Sequence, residues 1–154
     1  RFRGGEIDGA AFLRAMFGEK NSELTYLPLV EAAKTAGADV LATNLTRAEK
    51  APVLKGGIAA LDPRLLPPGF ELGGEAYRQR FLEAAGGHGD PAKLENYFVA
   101  QCLVDDVVAY RLVRDRKAPA AFLVIGSFHA RYFDGVWKRL DARLGKGKRT
   151  LVEI

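Results

Sequence analysis

Two hydrophobic patterns alternate along this chain. Continuous apolar runs, Val40-Leu41-Ala42 within 39–45 and Ala121 to Ile125 within 121–126, read as short parallel strands covered on both faces. A third run, Thr150 to Glu153, reads as a closing strand. Between them, apolar residues recur at helical spacing. Asp8 is a candidate N-cap for a helix carrying Phe12, Leu13, Met16 and Phe17, broken at Gly18 to Asn21. Pro28 suits the first turn of a second helix with Leu29, Ala32, Ala33 and Ala36 on its buried side and Gly37 as its stop. Thr46 and Glu49 have capping-box spacing, with Pro52 expected to interrupt or restart the helix they open. A turn at Lys55-Gly56-Gly57 precedes a short helical stretch, Ile58 to Leu61. Residues 62–74 are a proline- and glycine-rich loop, long enough to suspect binding.

A helix is expected from Glu75, with Tyr77, Phe81, Ala84 and Ala85 on its apolar side, and ends before the glycines around His88. Asp90-Pro91 then starts the longest helix, running to about Arg116. A last helix carries Trp137, Leu140 and Leu144 on one stripe and stops at Gly145. The alternation predicts an α/β fold: a parallel or mostly parallel sheet flanked by helices, in a single domain over 1–154. Three strands are few for a covered sheet. The missing ones are expected before residue 1, because the chain opens on Arg1 and its only methionine is Met16.

Polar residues depart from this pattern in two places. On the long helix, Leu94, Phe98, position 101, position 105, Val108 and Leu112 share one face, and positions 101 and 105 are Gln101 and Asp105. A buried carboxylate without partners costs several kcal/mol, so on that face Asp105 must meet a cation, a donor or a ligand. The alternative is a helix rotated so that Val104, Val107 and Val108 face the core while Asp105 and Asp106 face water. The second place is the stretch after the 121–126 run, where Gly126-Ser127 leads into His129, Arg131, Tyr132 and Asp134. The carboxyl end of a buried strand is where open α/β sheets place ligands. A histidine there is either functional or a cap that bonds backbone. His88 sits in a glycine-rich loop, and Tyr26 at a loop-to-helix junction is either a ligand or a half-buried aromatic.

Composition narrows the classes. Hydrophobic residues make up 48% of 154, enough for a core. The net charge of +4 is mild and concentrated in the tail Arg139, Arg143, Lys146, Lys148 and Arg149. Those residues suit a solvated helix end better than a nucleic-acid patch, since no nucleic-acid motif accompanies them. Cys102 alone excludes an internal disulfide and a cysteine-rich zinc site. No run reaches the ~20 apolar residues of a membrane span. The spacings of a histidine metal site, a nucleophile elbow, a P-loop and a dinucleotide fingerprint are all lacking.

Four ordered blocks resemble the ChaN-like haem-binding family, related to Tiki-type and erythromycin-esterase-like proteins. They are Gly5-Glu6-Ile7-Asp8 through Phe12-Leu13 with Tyr26-Leu27-Pro28; Val40 to Arg47, with Asn44-Leu45-Thr46-Arg47 as a strand-ending turn; Ala100-Gln101, Asp105 and Ala109 after the His88 loop; and Gly126-Ser127-Phe128-His129 with Gly135-Val136. The family's opening strands, with a Gly-Glu-x-His motif and a glutamate, have no counterpart here. The resemblance implies haem binding and iron uptake at the bacterial cell envelope or periplasm, as a lipoprotein and as a dimer enclosing haem. It nominates His129, Tyr132, His88 and Tyr26 as iron ligands, Arg131 or Arg47 as propionate partners, and Gln101, Asp105 and Asn44 as further contacts. A hydrolase of the esterase-like group, metal-dependent or with His129 as base and Asp105 orienting it, is the alternative.

Overall fold

A computed structural model describes residues 4–17, 21–86, 90–147 and 150. Among these it contains helices and turns and no strand. The predicted α/β sheet is therefore not seen. The run 121–126 forms neither helix nor strand. Its side chains show why continuous hydrophobicity misled. Leu123 and Ile125 pack on buried valines and leucines, while Phe122 and Val124 point to solvent. One face is covered, not two. Residues 39–43 likewise form neither helix nor strand, with Val40 and Leu41 exposed. Right-handed crossovers between parallel strands at 39–45 and 121–126 would put Asn44 and His129 on one sheet edge, and without a sheet that expectation fails as well. The closing strand lies mostly outside the described residues.

The chain divides into two compact units, Arg1–Ala42 and Thr43–Ile154. In the first, α1 (Gly9–Phe17) and α2 (Leu27–Thr35) bury Leu13 and Val30 against Ile7, Phe12, Leu24 and Leu27. Asp8 Oδ1 accepts from the Ala11 amide at 2.6 Å, and Glu31 Oε1 from the Gly9 amide at 3.1 Å, so two of the first free amides of α1 are satisfied. The buried side of α2 differs from the sequence reading. Val30 faces inward, whereas Leu29, Ala32 and Ala36 are exposed. In so short a helix a rotation of one position changes the whole set.

In the second unit everything is arranged around one helix. It opens with α3 (Arg47–Gly56), whose capping box forms in both directions, Thr46 Oγ1 to the Glu49 amide and Glu49 Oε2 to the Thr46 amide. Pro52 sits inside α3 without ending it. After short 3-10 turns at Ile58–Ala60 and Pro63–Leu65 come α4 (Glu75–Ala84), α5 (Pro91–Asp115) and α6 (Val136–Leu144). Asp90 Oδ1 caps α5 by accepting from Ala92, as the Asp-Pro pair predicts.

From residue 98 to 109, α5 is buried all round except for half-buried Gln101. Val99, Leu103 and Val107 meet Leu45, Val53 and Leu61. Val104 and Val108 meet Val136 and Leu140 of α6. Phe98 and Cys102 meet Tyr77 of α4. A helix covered on three sides is a core helix, so the valines and both aspartates are buried together. The choice between a Gln101–Asp105 face and a valine face does not arise.

Candidate functional site

Asp105 is 0% exposed, and its carboxylate is held from two sides. Tyr77 Oη donates to Oδ2 at 2.6 Å. His129 Nδ1 lies 2.6 Å from Oδ1. Gln101, one turn earlier on α5, donates from Nε2 to Tyr77 Oη at 3.1 Å, so the phenol donates to Asp105 and accepts from Gln101. Gln101 Nε2 also lies 2.9 Å from His129 Nδ1. One ring nitrogen cannot donate to a carboxylate and accept from an amide at once. The carboxylate is the stronger partner, so the proton sits on Nδ1 and points at Asp105. Gln101 then acts on the ring by contact. This tautomer leaves the lone pair on Nε2.

Three elements build this arrangement. Asp105 and Gln101 come from α5. Tyr77 comes from the third position of α4, its ring stacked at 5.5 Å on Phe128 and edge-on to Phe98 at 6.0 Å. Burial, and then the Asp105 charge, push the Tyr77 phenol far above its ordinary value, so it stays a donor. His129 ends a 3-10 turn, Ser127–His129. Gly135 secures that turn from behind. Its φ is +54, and a Cβ there would lie 2.3 Å from the His129 carbonyl oxygen and 3.2 Å from Asp105 Oδ2. Only glycine permits both the conformation and the approach. Beneath the site, Cys102 Sγ accepts from the Gly73 amide at 3.2 Å, and burial pushes its thiol up to about 11.

His129 itself is 23% exposed. The four most exposed large apolar side chains flank it in sequence: Phe122 (78%), Tyr132 (68%), Phe133 (63%) and Val124 (50%). Tyr132 and Phe133 both adopt φ of +58, a left-handed conformation that costs non-glycine residues about 1–3 kcal/mol each. Arg80 pairs with Asp134 and lies 4.9 Å over the Tyr132 ring. The structure thus gathers Gln101, Asp105 and His129, with exposed Arg131 and Tyr132 following in the same loop. Asn44 is elsewhere. Its Oδ1 accepts from the Leu45 amide at 2.7 Å and its carbonyl from Arg111 at 2.6 Å, on α5 about 9 Å beyond Asp105 by helical rise. Tyr26 belongs to the first unit, where it is exposed at the start of α2. Arg47 is exposed at the start of α3. His88 lies outside the described residues.

Sequence reasoning missed Tyr77, whose place on the apolar side of α4 marked it only as core. The phenol hydroxyl was the available signal, since a buried tyrosine needs a partner. It also missed Asp106, which bonds Arg143 at 2.5 Å.

A haem-binding family model, described as haem-binding uptake, Tiki superfamily, ChaN, matches residues 1–140. The chain belongs to this ChaN family. No curated protein and no solved structure matches it. The description gives the family a haem-binding role. Among the described residues no three acidic, histidine or cysteine side chains converge as a metal-ion site, and no helix is long and apolar enough to cross a membrane.

Proposed function

We propose that the second unit binds haem, with His129 Nε2 as an axial ligand and Asp105 setting the ring's orientation and tautomer. The 2.6 Å Asp105–His129 bond carries this reading, because it leaves Nε2 free on a side chain that is partly exposed. A porphyrin needs apolar contact over a broad face, and Phe122, Val124, Tyr132 and Phe133 are the exposed candidates. Arg131 is the candidate propionate partner. When bound, haem supplies an iron centre whose electronics the axial ligand and its hydrogen bond tune. The protein residues hold, orient and shield it. The role we assign is haem-iron uptake at the bacterial cell envelope, as a lipoprotein, with two copies enclosing haem between their aromatic loops.

The test is haem titration of wild type and His129→Gln, followed at the Soret band. Glutamine retains an N–H donor for Asp105 and removes the imidazole. Affinity is expected to fall at least tenfold with a changed Soret position, while the melting temperature stays within a few degrees. An unchanged spectrum and affinity refute His129 as ligand, and His88 and Tyr26 become the next substitutions. Light scattering with and without haem tests the dimer.

The same dyad supports a second reading, a hydrolase in which Nε2 takes a proton from water while Asp105 stabilises the resulting imidazolium. Ester or peptide hydrolysis lost in His129→Gln, with no Soret shift in wild type, selects it.

A further inference from the structure

A cleft of about 280 Å3 lies between the loop 68–72 and α6, on the Asp106 side of α5. Its lining holds Lys138, Arg139 and Arg143 with Asp106 and Glu71. Three cations face two carboxylates, an excess of one positive charge. Arg143 is matched by Asp106 at 2.5 Å, which uses that carboxylate. Arg139 is 8% exposed, yet its guanidinium meets only a neutral group, the Glu71 backbone carbonyl, at 2.9 Å. Lys138 is exposed at the rim and has no carboxylate partner among the described residues. Arg143 Nε is buried without a hydrogen-bond partner. A buried guanidinium without a counter-charge is costly, as is a buried unpaired N–H. An anion entering the cleft offers Arg139 the counter-charge it lacks.

The geometry points to this cleft as a binding site for a small oxyanion, a carboxylate or phosphate compound, separate from His129. Arginine presents a planar fork of donors that matches either group, and Lys138 adds a point charge at the entrance. A cleft of this volume suits a small metabolite. Leu72 and Ala142 give the cleft an apolar wall for the ligand's carbon skeleton.

Inorganic phosphate and succinate, titrated separately at constant ionic strength, are the probes. The readout is the arginine Nε–Hε signals in nitrogen-15 NMR spectra of wild type, Lys138→Glu and His129→Ala. Lys138 is exposed, so its replacement leaves the fold intact. Saturable shifts of the Arg139 and Arg143 signals are expected, weakened about tenfold or more by the charge reversal in Lys138→Glu and retained in His129→Ala. Saturation by phosphate alone assigns the phosphate class, and by succinate alone the carboxylate class. Shifts no larger than those from sodium chloride, or binding that Lys138→Glu leaves unchanged, overturn the site. Neither result bears on haem binding.

Discussion

Replacing Tyr77 with phenylalanine isolates the hydrogen bond on which the Asp105 cluster depends. The ring keeps its place, since its contacts with Phe98 and Phe128 involve carbon atoms alone. What disappears is the O–H that donates to Asp105 Oδ2 at 2.6 Å and the oxygen that accepts from Gln101. A hydrogen bond to a charged group contributes about 1.5–3 kcal/mol, and the fully buried carboxylate has no water to take the lost donor's place. The expected loss at pH 7 is about 2–3 kcal/mol. Urea denaturation followed by circular dichroism measures it, with an unchanged m-value. The alkaline limb supplies a second signature. Folding raises the Tyr77 pKa above its ordinary 10.0. The resulting stabilisation is fully present below about pH 10 and is lost as pH rises toward the higher folded value. Wild type therefore loses about 1 kcal/mol between pH 10 and 11 that the variant does not. The gap between the two proteins narrows by that amount, and Cys102, present in both, cancels. A deficit below about 0.5 kcal/mol at pH 7, or a gap equally wide at pH 7 and 11, refutes the reasoning.

Gly135→Ala places a methyl group on the His129 carbonyl and fixes an unfavourable φ, so a loss of about 1–3 kcal/mol from backbone strain, with weaker haem binding, is expected; unchanged melts and titrations would overturn the fit. Asp106→Ala leaves the half-buried Arg143 without its carboxylate partner and is expected to cost about 1.5–3 kcal/mol, a value read from the same urea curves. In Cys102→Ala the alkaline limb changes in another window: burial raises this thiol from 9.0 to about 11, so wild type sheds up to roughly 2–3 kcal/mol as pH rises from 9 to 11, and the variant is expected to lack that slope.

The local signals in the sequence carried through to the structure. The Thr46–Glu49 capping box, the Asp90-Pro91 start and the Gly145 stop depend on residues within one turn of one another, so they act wherever the chain folds. The place of Gln101 and Asp105 on an apolar stripe was equally local, and it identified a carboxylate that needed donors. Which donors it met was not local. Tyr77 and His129 lie 28 and 24 residues from Asp105 in the chain, on opposite sides of it, and only the packing of α4 and the 127–129 turn against α5 brings them to one carboxylate. The same distinction explains the absent sheet. A helix satisfies its backbone from within, whereas a strand is defined by the neighbour that pairs with it. The apolar run 121–125 could therefore not make a strand by itself. Tertiary structure alone decided that Leu123 and Ile125 pack on α5 and α6, while Phe122 and Val124 stand exposed beside the His129 loop.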